Sequence, residues 1–165
     1  SIYGAGIYNL SSTLTLNNNT FYLNNAYETG GAIYNKTEEQ LTIRNNIIWG
    51  NLPNQIFNYD SSPFNSVPVI TYSIIEGGYY GEGNIDENPL LVDFADNGGF
   101  TMTYALQPNS LAIDSGDPGN CPKTDQRGFW RPIDGDSDGL ALCDMGAYEY
   151  DSRQARYNFL PLIIK

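Results

Sequence analysis

The chain has 165 residues, 41% hydrophobic and 13% aromatic, with 19 acids against 8 bases and no histidine, enough for one domain with a packed core. A formal charge of −11 and a pI near 4.1 argue against nucleic acid and anionic membrane partners, both of which need Lys/Arg neutralisation. Lack of histidine excludes Ser-His-Asp and Cys-His catalysis and leaves zinc little beyond two cysteines, and no apolar run is long enough to span a membrane as a helix.

Along the chain, a repeat comes first. Ser1-Ile2-Tyr3-Gly4 already lies inside it, so the chain is expected to be a processed piece of something longer, with an uncapped first rung. Gly6-Ile7-Tyr8-Asn9 recurs as Ala32-Ile33-Tyr34-Asn35 and more loosely as Gln55-Ile56-Phe57-Asn58. A second register repeats every 27 residues: Leu16, Ile43 and Ile70 form one column, Phe21, Ile48 and Ile75 another, and Asn18 matches Asn45 as Asn24 matches Asn51. Between these points run short alternating pieces such as Leu14-Thr15-Leu16 and Leu41-Thr42-Ile43. Alternation puts the aliphatics on one face and Thr on the other, as half-buried strands require. Asparagine occupies 19 positions; it tolerates left-handed turns, and its side-chain amides can stack from rung to rung. Three short strands per coil of about 27 residues predict an all-β, right-handed parallel β-helix with like residues stacked over like. A β-sandwich with accidental similarity would not keep that spacing in two columns.

From about residue 79 the repeat fades, and 13 of the 19 acids lie in 86–165. Residues 84–93 and 106–113 still read as rung fragments. Rungs are therefore expected over 1–116, a loop-rich cap closing the end of the coil over 117–150, and a tail over 151–165. Cys121 and Cys143 flank the glycine-rich cap, a segment with little core of its own. In a secreted protein they would form a disulfide contributing roughly 3 kcal/mol; in a reducing compartment they would be two buried thiols.

The run Ala95-Asp96-Asn97-Gly98-Gly99, Ala112-Ile113-Asp114-Ser115-Gly116-Asp117, Cys121-Pro122, Thr124-Asp125-Gln126-Arg127-Gly128, Arg131-Pro132 and Cys143-Asp144-Met145-Gly146-Ala147-Tyr148-Glu149 resembles the choice-of-anchor Q domain of secreted bacterial proteins. The upstream Gly-Gly-Ala-Ile-Tyr-Asn repeats resemble those of β-helical surface proteins of the polymorphic outer-membrane type. The resemblance implies a right-handed β-helix, export and surface anchoring through a variable tail, without a defined activity.

Asp134, Asp136 and Asp138 stand at positions 1, 3 and 5 of a loop with Gly139 at position 6, as in calcium-binding loops. Met145 occupies the place of the usual bidentate Glu, and Asp144 beside it can substitute. Calcium is then expected as structural glue; the alternative is a solvated acidic turn. Asp114, Asp117 and Asp125 with Arg127 and Arg131 form the dense mixed-charge cluster, read as cap ion pairs more than as a catalytic site. Tyr8 and Tyr34 share one column and Tyr22 and Trp49 another, a ladder able to stack on sugar rings or simply to pack. In the tail, Phe159, Leu160, Leu162, Ile163 and Ile164 form an apolar run that can pack back on the coil, serve as the implied anchor, or be donated to a neighbouring subunit.

The sequence thus leads one to expect a secreted, non-enzymatic surface module with a structural or adhesive role. Its partners are cell-surface components or further copies stacked head to tail into filaments. A β-helix that binds or cleaves polysaccharide, as a lyase or hydrolase, is the alternative; no catalytic residues are assigned.

Overall fold

Each alternating segment is a short strand in the computed structural model, which describes residues 1–59 and 66–150. The strands are β1 (Ile7–Leu10), β2 (Leu14–Asn17), β3 (Thr20–Tyr22), β4 (Ile33–Lys36), β5 (Leu41–Arg44), β6 (Ile47–Trp49), β7 (Ile56–Asn58), β8 (Val69–Thr71) and β9 (Ile74–Ile75). They pair in parallel as three sheets, β1-β4-β7, β2-β5-β8 and β3-β6-β9. This is a parallel β-helix of three regular rungs.

Register follows the sequence columns: Leu16 lies beside Ile43 and Ile43 beside Ile70, and Phe21, Ile48 and Ile75 align likewise. In the first sheet Tyr8, Tyr34 and Phe57 align although their spacing is 26 and then 23. The second rung is shorter between Trp49 and Ile56, and the third is correspondingly longer between Asn58 and Val69, so the 27-residue period is restored at β8. Inward-facing Leu16, Ile33, Leu41, Ile43, Ile48, Ile70 and Ile75 form the coil's core.

Two turn columns hold left-handed backbone. Asn18 (φ 52°), Asn45 (φ 54°) and Tyr72 (φ 48°) make the bend between the second and third sheets, and Leu23 (φ 57°), Gly50 (φ 67°) and Gly77 (φ 84°) the bend that leaves the third. Asparagine suits the first bend because its short side chain bonds locally in that conformation. The amides also form ladders. Asn9 donates to Asn35 (2.8 Å) and Asn35 to Asn58 (2.7 Å), while Asn51 Oδ1 accepts both the backbone and side-chain nitrogens of Asn24.

Asn46 is fully buried and ties two rungs together. Its Oδ1 accepts from Asn19 N (2.9 Å), and its Nδ2 donates to Leu16 O (2.8 Å) and Arg44 O (2.6 Å). Truncation to alanine leaves these buried backbone groups without their partner, so Asn46→Ala is expected to cost about 2–3 kcal/mol. Urea midpoints check this against Asn17→Ala, an exposed asparagine expected to stay within about 0.5 kcal/mol; equal midpoints would refute the tie.

Beyond the regular rungs, Ile85 bridges Ile74 in parallel, so the 84–93 fragment joins the stack there. Leu106 instead bridges Leu91, and Thr103 bridges Ala95, both antiparallel, so 106–113 folds back and is not a rung. Parallel pairing among the described residues therefore ends well short of residue 116.

The loop-rich segment, expected over the end of the coil, packs along its flank. The reason lies in β6 and β9, which are apolar on both faces. Ile48 and Ile75 point into the coil, while Ile47 and Ile74 point outward and are buried with Leu106, Ala112, Ile113 and Met145 in a second core. Polar contacts fix the same face: Asn45 O accepts from Gly146 N and Asn45 Oδ1 from Asp117 N, both at 2.7 Å. Asn18 Nδ2 donates to Asp144 O (2.9 Å), and Ala147 N donates to Thr20 Oγ1 (3.0 Å). Cys121 and Cys143 form the disulfide, with Cα atoms 5.7 Å apart. No helix among the described residues is long and apolar enough to cross a membrane.

Candidate functional site

The charged residues of the cap converge on a buried cluster beneath the second core. Arg127 lies between the rings of Phe129 (4.3 Å) and Tyr148 (3.6 Å), donates through Nε to Asp125 Oδ2 (2.8 Å), and through Nη2 to Glu149 O (2.7 Å). Asp125 in turn accepts the backbone N–H groups of Arg127, Phe129 and Glu149. Its two oxygens therefore close the 125–129 loop and tie it to the segment around Glu149.

Arg131 donates to the carbonyls of Asp144 (3.2 Å) and Gly146 (2.9 Å), and its Nε lies 3.4 Å from Glu149 Oε2. Glu149 accepts from Ile133 N (2.9 Å) and Asp144 N (3.1 Å). Asp144 accepts from Asp114 N (2.9 Å) and from Tyr150 N. Asp125, Arg127, Arg131, Asp144 and Glu149 are all buried. Burial drives the Asp144 carboxyl up to about 8, with the charge of Glu149 adding to the rise and backbone donors opposing it. Burial drives Glu149 up to about 7, opposed first by Arg131. Two carboxyls in one dry space cannot both ionise cheaply.

Of the expected mixed-charge cluster, the structure pairs Asp125 with Arg127. Asp117 stands apart, accepting from Gly119 N (2.8 Å) to cap the short 3₁₀ turn Pro118–Asn120. Arg131 finds its partner in Glu149, which lay outside the expected cluster; seventeen residues of loop separate them, and no periodicity links two such positions.

The aspartates of the expected calcium loop divide. Asp134 and Asp136 come together with Asp114, their ligand oxygens within 4.8 Å of one another, so these three could hold a hard cation. Asp138 accepts from Leu140 N within its own turn (2.7 Å), and Asp144 belongs to the buried cluster. Asp114 also accepts from Gly135 N (2.8 Å), Asp136 N (3.1 Å) and Leu142 N (3.0 Å), joining the acidic loop to the second core.

The first aromatic column is a true ladder on the outer face of the first sheet. Tyr8 stacks on Tyr34 (4.9 Å, 7°) and Tyr34 on Phe57 (5.4 Å, 21°). Tyr22 and Trp49 are register partners, but Tyr22 meets Tyr104 edge-on at 4.9 Å. The tail residues Phe159, Leu160, Leu162, Ile163 and Ile164 lie outside the described residues. Comparison with protein-family models, with curated proteins and with solved structures gave no match.

Proposed function

We propose that the chain is an extracellular, non-enzymatic β-helix module with a structural or adhesive role at a cell surface. The supporting observation is how its polar chemistry is used. Asp125, Arg127, Arg131, Asp144 and Glu149 are buried and bonded to backbone, and the asparagines bind rung to rung. Groups that an enzyme would direct at a substrate here hold a loop-rich flank on the coil. A disulfide favours an oxidising location, and the resemblance to surface-anchored β-helix proteins points the same way.

Among the described residues β1, β2 and β3 each pair on one side only. Their free edges suit a further rung of matching period, from the same polypeptide or from a second copy. Negative-stain microscopy of the purified chain, with calcium and with a chelator, tests this. Uniform rods longer than a single chain are expected, and their loss on chelation would implicate Asp114, Asp134 and Asp136. Discrete particles in both conditions would remove the stacking role, and turnover of polygalacturonate or alginate would overturn the non-enzymatic reading.

A further inference from the structure

We infer that the groove between the coil flank and the cap binds a neutral sugar residue of a surface polysaccharide. The groove has a volume of about 490 Å³, and Thr20, Phe94, Thr103, Tyr104, Gln126 and Ala147 are among its lining residues, a size in the range of small-ligand sites. Its aromatic wall is the pair Phe94 and Tyr104, with ring centroids 5.0 Å apart, and Tyr22, outside the lining, meets Tyr104 edge-on at 4.9 Å. Phe94 is 52% exposed, so this wall offers ring surface to solvent.

Around the rings stand hydroxyl and amide groups already oriented by the fold. Gln126 Nε2 donates to Thr101 Oγ1 (2.8 Å), which turns the amide oxygen away from that bond. Thr103 Oγ1 accepts from Asn97 Nδ2 (3.1 Å) and Thr20 Oγ1 from Ala147 N (3.0 Å), and a hydroxyl that accepts a bond can still donate its own proton. An apolar ring face beside neutral donors and acceptors matches a pyranose, whose C–H face is apolar and whose rim carries hydroxyls. Among the described residues, no ionisable acid or base other than the Tyr104 phenol lines the groove, and the net charge of −11 repels anions. Together these select a neutral sugar over a uronate. The inference goes beyond the structural role, and the two stand or fall separately, since rung stacking is seen in micrographs and sugar binding in solution.

Amide chemical shifts of the full chain, titrated with cellopentaose, mannopentaose and laminaripentaose, provide the test, with tetragalacturonate and an N-acetylated Leu-Phe-Leu amide for comparison. At least one neutral pentasaccharide should shift the Thr103 and Ala147 amides with a Kd on the order of 1 mM. Phe94→Ala and Gln126→Ala, both at exposed side chains, should weaken binding at least about tenfold, while Tyr80→Ala, on a different surface, should leave it unchanged. Matching melting temperatures for the variants confirm that the fold is intact. The inference is overturned if no neutral pentasaccharide shifts these amides, if only the peptide or the uronate does, or if the shifts ignore both groove substitutions.

Discussion

Replacing Arg131 with methionine should cost the fold about 3–5 kcal/mol at about pH 8, where Glu149 is ionised, the usual penalty for removing one partner of a buried ion pair. The guanidinium ties its own segment to three acceptors of the 144–149 stretch, the carbonyls of Asp144 and Gly146 and the carboxylate of Glu149. Methionine fills comparable volume but leaves two carbonyls and a carboxylate in a dry space. The damage should spread to the flank, because Asp144 O and Gly146 N also bond Asn18 and Asn45 of the first two rungs. Urea unfolding gives the magnitude, and hydrogen exchange at Met145, Gly146 and Ala147 shows whether the cap lifts locally before the coil opens. Arg131→Lys keeps the charge but not the fork, so it should fall between wild type and methionine. Arg44, whose contact to Asn120 is long (3.4 Å) and only partly buried, should lose less than about 1 kcal/mol on the same substitution. Equal losses at Arg131 and Arg44 would mean that the cluster does not hold the cap.

The coil was readable in the sequence because a solenoid repeats its environment. Leu16, Ile43 and Ile70 meet the same neighbours in successive rungs, so the same residue type recurs at the same spacing. Even the broken spacing of Tyr8, Tyr34 and Phe57 kept its register, since strand pairing tolerates loop-length changes between strands. The disulfide was legible from a coreless loop containing two cysteines. The cap's placement was not. It depends on Ile47 and Ile74 needing cover on an outward face, and β6, reading Ile-Ile-Trp, breaks alternation without saying which segment will cover it. The candidate site was legible only by composition. Asp125, Arg127 and Arg131 stood out as a charge cluster, whereas Glu149 and the new role of Asp144 arise from long-range packing that carries no spacing signal.

Stability should fall as pH rises from about 6 to about 8.5, through the range where most proteins hold steady. Asp144 and Glu149 are both raised above the ordinary carboxylate range, to about 8 and about 7, so the folded chain holds protons there that the unfolded chain has released. Their contribution is therefore fully present below about pH 4 and is lost as pH climbs through the folded values. Each proton so held gives a slope of about 1.4 kcal/mol per pH unit at most; the pair titrates jointly, and the loss across the window should be roughly 2–4 kcal/mol. The groups facing them are Arg131, Asp114, Asp125 and Arg127. Arg131 pulls Glu149 down and the neighbouring acids push up, so ionisation is resisted but not abolished. The chain has no histidine to titrate in this window. The buried pair then gives the profile its slope. Unfolding free energies at several pH values between about 6 and 8.5 measure it, and Glu149→Gln, which removes one titrating member, should flatten it while lowering stability overall. A profile flat across the window in wild type would show that both carboxyls are ionised in the fold, held as anions by their backbone donors, with Arg131 supplying the compensating charge.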